Sequence, residues 1–193
     1  MYGEGPAPAR RRVVRMRVIG GRSRGRRLAA KLPGSVRPTS DRVRESIFDI
    51  LGSQGGVEGL RVVDLFCGSG ALGVEALSRG AASATFVDLD PAALAAVRQN
   101  LDAVGLSDEP ATLVRASLPG WLEGGSAGSF DLALCDPPYN FEEWPALLGA
   151  LRADLVVMES SSPVVLAGDW VVARERRYGG TLVTVAHRSG AGS

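Results

Sequence analysis

From Leu60 onward, apolar runs and amphipathic stretches alternate with a regularity that few folds accommodate. Short apolar runs at 60–66, 84–89, 111–116, 130–135 and 154–159 read as buried strands, and 70–79, 91–104 and 142–152 carry helical spacing. Strands alternating with helices predict an α/β fold with a mainly parallel sheet covered on both faces. The end differs. Runs at 170–177 and 181–187 flank Tyr178-Gly179-Gly180, a hairpin signal that closes the sheet with an antiparallel edge. Upstream, Val43, Ile47, Phe48, Ile50 and Leu51 share one side of a helix over roughly 41–52, capped by Thr39 or Ser40. Residues 16–32 alternate weakly and are broken by glycines. They read as two short strands around Gly20-Gly21, a β-hairpin with arginines on its exposed faces.

At 193 residues the chain is long enough for one full core. The expected division is a basic, disordered tail over 1–15 (with Met16 as an alternative start), the hairpin over 16–36 and a catalytic domain over 37–193. Charge supports that division. Residues 1–44 hold 13 of the 22 Lys and Arg and two of the 21 acids, a net +11 that leaves −10 on the rest. A basic first quarter on a near-neutral chain points to a polyanion-binding arm on a separate body. Arg17, Arg22, Arg24, Arg26, Arg42 and Arg44 are the candidate phosphate contacts, positioning rather than reading sequence.

No stretch reaches the roughly 18 apolar residues that span a bilayer, and no apolar core follows the N-terminal basic run, so neither a membrane anchor nor a signal peptide is expected. Cys67 and Cys135 fit no metal or redox spacing, and His187 is the lone histidine. A reduced, cytoplasmic protein without a metal follows. With no long apolar surface stripe, a monomer is expected.

Asp136-Pro137-Pro138-Tyr139 follows the apolar run Phe130–Cys135. Proline fixes its own φ and restricts the residue before it, so the acid and the first carbonyl are held extended. A carboxylate, a fixed carbonyl and an aromatic face accept hydrogen bonds from an exocyclic NH2 while stacking its ring. The catalytic candidates are therefore Asp136, Pro137 and Tyr139. A plain Pro-rich turn closed by a core tyrosine is the bland alternative.

The cofactor candidates begin at the first strand-to-helix turn, Asp64 to Gly73, where Gly68, Gly70 and Gly73 match G-x-G-x-x-G. Nicotinamide enzymes and methyltransferases both use such turns, since both bring backbone and a helix N-terminus against a ligand. Asp88 ends the next strand and suits the two ribose hydroxyls. Asp64 discriminates: a carboxylate there repels a pyrophosphate and suits the ammonium of S-adenosylmethionine. Phe66, Ser69, Leu89, Ala116, Ser117 and Asp136 complete the candidate cofactor set at the carboxyl ends of the strands, the edge where open α/β sheets bind ligands.

With these residues in view, the chain resembles the bacterial RsmD-type methyltransferases, which modify a guanine N2 in small-subunit (16S) ribosomal RNA. The resemblance runs from about Met16 to Arg188 and rests on Arg17 to Gly21, Gly25-Arg26, Arg37 to Glu45, Asp64 to Gly73, Glu75 to Ala81, Asp136 to Tyr139 and Tyr178-Gly179. It implies a seven-stranded class I, Rossmann-like fold with S-adenosylmethionine as cofactor, the small ribosomal subunit as partner and an N-terminal hairpin that helps grip RNA. Ser23 stands where relatives often carry an aromatic, and Asp88 replaces the more usual Glu. Arg115-Ala116-Ser117 lacks the Asp or Asn often found after the third strand, which leaves adenine N6 to a backbone contact. Competing readings are another amino-methyltransferase (DNA adenine N6 or protein glutamine N5), a non-catalytic ribosome-assembly factor, and a nicotinamide oxidoreductase that leaves Asp-Pro-Pro-Tyr unexplained.

Overall fold

The computed structural model describes residues 16–29, 41–125 and 127–190. The tail over 1–15, the Thr39 or Ser40 cap and the end of the expected hairpin lie outside the described residues. The chain runs α1 (Asp41–Gly52), β1 (Arg61–Leu65), α2 (Ala71–Ser78), β2 (Ser83–Asp88), α3 (Pro91–Ala103), β3 (Ala111–Arg115), α4 (Gly120–Glu123), β4 (Phe130–Cys135), α5 (Trp144–Ala150), β5 (Ala153–Ser160), β6 (Trp170–Tyr178) and β7 (Thr181–Arg188). One seven-stranded sheet has the order β3-β2-β1-β4-β5-β7-β6. The first five strands are parallel, and β7 joins β5 and β6 antiparallel, as the alternation and the Tyr178 turn predict.

Successive strand residues serve opposite faces. Val62, Phe86, Leu132, Leu134, Val157 and Val183 pack with α1, α2 and α3 in one core. Val63, Leu65, Ala133, Cys135, Met158 and Ala186 pack with Trp121, Leu122, Trp144 and Leu148 in the other. Both faces are covered, so the central strands are apolar on both sides and only their ends carry polar side chains. Among the described residues no helix is long and apolar enough to cross a membrane.

The N-terminal segment departs from expectation. Among the described residues its pairing is an isolated antiparallel bridge, Arg17 to Arg27, so the reversal centres on residues 21–25 rather than on Gly20-Gly21. Those glycines serve contact instead. Ile19 and Gly20 donate their N–H groups to the Glu75 carboxylate at 2.8 and 2.7 Å, and Arg22 N–H donates to the Ser78 carbonyl at 2.9 Å. Gly21 has φ +73, and a Cβ there would lie 1.9 Å from that carbonyl oxygen. Ser23 is buried, and its hydroxyl donates to the Val104 carbonyl at 2.8 Å. The hairpin is thus packed lengthwise on the catalytic body. The four-residue α4 also appears where no helix was expected.

Candidate active site

Register lines up the strand ends. Leu65 pairs with Val87 and with Cys135, and Cys135 pairs with Met158. One residue further, Asp88, Phe66, Asp136 and Glu159 fall in one row across β2, β1, β4 and β5. The predicted cofactor and catalytic residues therefore share the carboxyl edge.

The turn after β1 is tightly held. Phe66 takes φ 58, an uncommon conformation for a side-chain-bearing residue, and Gly68 and Gly70 take φ 51 and 75. Asp88 accepts Gly68 N–H and Asp90 N–H, both at 2.9 Å, tying the turn to β2. Asp90 caps α3 by accepting Ala92 N–H at 2.8 Å, with Pro91 at the first helical position. Asn100, fully buried on α3, donates to the Ser69 carbonyl at 2.9 Å. Asn100 escaped the sequence search, although a polar residue on the apolar stripe of Ala93, Ala96, Val97 and Leu101 signals a structural hydrogen bond.

Asp64 is 1% exposed and accepts Gly73 N–H at 2.9 Å, so it shapes the turn from beneath. Burial pushes its carboxyl well above the usual range; Gly73 N–H pulls it down, and the charges of Asp136 and Asp88 push it up again. The native state therefore holds the Asp64 proton to higher pH than the unfolded chain does. Between the ordinary carboxylate range and that raised value, stability falls as pH rises. Asp64→Asn keeps an acceptor for Gly73 and removes the titration. Its melting temperature should depend less on pH above the ordinary carboxylate range than the wild type's does; unchanged pH dependence contradicts the assignment.

Gly73 sits where α2 meets the sheet. A Cβ there would lie 2.3 Å from Phe86 Cε1 and 3.1 Å from Asp64 Oδ2. Gly73→Ala should lose about 1–3 kcal/mol in thermal or urea denaturation. A stability within about 0.5 kcal/mol of wild type would show that α2 can move away at little cost.

Leu89, beside Asp88, is 62% exposed, and Tyr139 is 48% exposed. These apolar surfaces stand at the cofactor side and the catalytic side of the same edge. The Ala116 N–H donates to the Asp88 carbonyl at 3.1 Å, so it is already engaged; Ser117 is exposed beyond it. Asp136 and Pro137 are half-buried at the end of β4. The Phe141 N–H donates to the Pro138 carbonyl at 2.9 Å, closing a turn that holds Tyr139 at its tip. Phe66, Phe141 and Trp144 form an edge-to-face ladder with centroids 5.0 and 5.3 Å apart. Trp144 and Trp170 are buried, as packing residues. Both cysteines are buried, and burial pushes both thiols up, which leaves them unreactive.

Glu159 was also missed. It is 5% exposed and stands beside Asp136 in the row, at the end of the apolar run Leu155–Met158. An acid closing such a run is the same signal that drew attention to Asp136.

The six arginines separate. Arg44 is buried at 1% exposure, donates to Asp41 at 2.9 Å and lies 3.7 Å from Glu75, so it reaches no phosphate. Arg17 and Arg42 are exposed near the start of α1, Arg17 lying 3.7 Å from Asp41. Arg22 pairs with Glu109, Arg26 donates to the Val104 carbonyl at 2.8 Å, and Arg24 is exposed between them. These three lie by the C-terminal ends of α2 and α3, at the opposite edge of the sheet from Asp136.

The family described as conserved hypothetical protein 95 matches residues 16–187. The chain belongs to that family. This is the RsmD family that the sequence resembles. The Bacillus subtilis protein named putative rRNA methyltransferase YlbH is 38% identical over 191 residues, covering 91% of this chain and 100% of its own. The Escherichia coli protein named ribosomal RNA small subunit methyltransferase D is 32% identical over 188 residues and 92% of each chain. The solved structure titled putative methyltransferase yhhF from Escherichia coli superimposes with a TM-score of 0.77 at 31% identity, covering 91% of this chain and 98% of that one.

Proposed function

We propose that this protein transfers a methyl group from S-adenosylmethionine to the exocyclic N2 of a guanine in small-subunit ribosomal RNA. The coarser activity, methylation of rRNA, matches what the family's named relatives are called. The observation that supports transfer to a planar amine is the row of strand ends, which sets Asp136 one strand from the glycine turn and two strands from Asp88. The residues fit the cofactor. The Gly68–Gly70 turn leaves backbone open to a ligand, Asp88 meets the ribose hydroxyls, and exposed Leu89 gives an apolar surface for the adenine. Asp64 supports the turn through Gly73.

When bound, S-adenosylmethionine supplies a methyl group made electrophilic by its sulfonium. The protein's part is positioning. The lone pair of a guanine N2 is delocalised into the ring. Asp136 and the Pro137 carbonyl accept its two N–H hydrogens and localise that pair on nitrogen. Tyr139, at the tip of its turn, stacks on the base once it is drawn out of its helix. No strong base acts first, because N2 becomes acidic as it is methylated and then gives its proton to the Asp136 carboxylate. Adenine N6 and glutamine N5 present a similar planar NH2, so the product decides. Nucleoside analysis of small-subunit RNA labelled with the cofactor should yield N2-methylguanosine; label in N6-methyladenosine overturns the guanine assignment.

A further inference from the structure

The sequence placed the RNA grip on the hairpin, yet the hairpin's reversal lies by Ser78 and Val104, about 12 Å of α2 away from the cofactor turn. A different basic surface lies level with the catalytic row. β6 is the edge strand, and seven consecutive residues, Val171 to Arg177, are exposed. Three of them are Arg174, Arg176 and Arg177. Glu159, beside Asp136, pairs with Val183, and Val183 pairs with Arg176. Arg176 therefore ends, on β6, the row in which Asp88 and Asp136 stand. It stands three strand spacings from Asp136, about 14 Å. Among the described residues Arg174 and Arg176 enter no ion pair, and Arg177 only donates weakly to the Ser161 carbonyl at 3.3 Å. The strand's acid, Glu175, is turned to Thr184 Oγ1, which donates to it at 3.2 Å.

Helix α1 extends the surface. Ser46 and Tyr178 hydrogen-bond through their hydroxyls, joining α1 to the end of β6. Arg42, exposed, lies one turn before Ser46 on the same stripe of the helix. Tyr178 pairs with Thr181 and Arg176 with Val183, so both face the side of the sheet that α1 covers.

We propose that Arg174 and Arg176 on β6, continued by Arg42 on α1 and flanked by Arg177 from the strand's other face, bind the phosphate backbone of the RNA whose base is methylated at Asp136. This rests on the methyltransferase reading and names the surface that serves it. Arginine on an exposed edge strand also guards against strand pairing between molecules. That role needs no particular position along the strand and does not account for Arg42.

The test compares two triple variants, R174Q/R176Q/R177Q and R22Q/R24Q/R26Q, with wild type. Binding to small-subunit RNA is measured across salt, and methyl transfer is measured alongside. The β6 triple should flatten the log–log salt slope by about two to three and raise KM at least about tenfold with kcat nearly unchanged. The hairpin triple should change both less. R174K/R176K/R177K keeps the charges and should recover the wild-type slope; loss there too would show a packing effect and overturn the proposal. A wild-type slope in the glutamine β6 triple also overturns it. If wild type transfers no methyl to RNA at all, the methyltransferase reading fails instead, and cofactor binding by calorimetry separates the two results.

Discussion

Asp136→Ala should lower methyl transfer by about a hundredfold to a thousandfold while leaving S-adenosylmethionine affinity within about twofold of wild type. Asp136 closes β4 beside the turn after β1, and Pro137 restricts its backbone, so its carboxylate has a fixed post at the strand end. Deletion removes an acceptor for the amine but leaves the glycine turn, Asp88 and Leu89 in place. The effect therefore belongs to kcat. Single-turnover transfer with saturating RNA, paired with calorimetric titration of the cofactor, separates the two. A loss confined to cofactor affinity would move Asp136 out of the chemistry. Tyr139→Ala, by contrast, should act mainly through substrate engagement and raise KM.

The second large effect lies far from the chemistry. Glu75 is fully buried, yet it serves four partners: the N–H groups of Ile19 and Gly20, Arg79 Nε at 2.8 Å, and Arg44 Nε at 3.7 Å. Arg44 is itself buried, and its Nε makes no hydrogen bond among the described residues. Glu75→Ala would leave two backbone donors and the Arg79 Nε without their acceptor and would remove the countercharge beside buried Arg44. The expected cost is about 3–5 kcal/mol, a large share of the roughly 5–15 kcal/mol that holds a domain folded. Urea denaturation should show it, with protease cleavage first appearing between residues 16 and 29. A loss under about 1 kcal/mol would mean that the hairpin is held by other contacts.

Much of this was legible in the sequence because the relevant physics is local. Helix α1 and strand β4 fall where apolar periodicity placed them, since each is defined by its own residues. Asp136 and Asp88 were found because an acid that closes an apolar run belongs at a strand end. Arg44 was misassigned because its partner is 31 positions away, and charge counting treats every arginine as solvated. Its spacing with Ile47, Phe48 and Leu51 on the buried stripe of α1 carried the correction in advance. Gly20 and Gly21 were taken for the turn itself, when Gly21 is there to let the chain approach α2. The arginines of β6 were passed over because the charge asymmetry drew attention to the first quarter. Only the strand order shows that β6 is an exposed edge level with Asp136.

The central claim is methyl transfer to a guanine amine in ribosomal RNA. The measurement that tests it most directly is transfer of labelled methyl to unmethylated small-subunit particles, naked rRNA and duplex DNA in parallel, followed by nucleoside analysis. The account predicts N2-methylguanosine in the ribosomal samples, no label in DNA, and loss of the signal with Asp136→Ala. Label in DNA adenine, or none in any RNA despite cofactor binding, would contradict it.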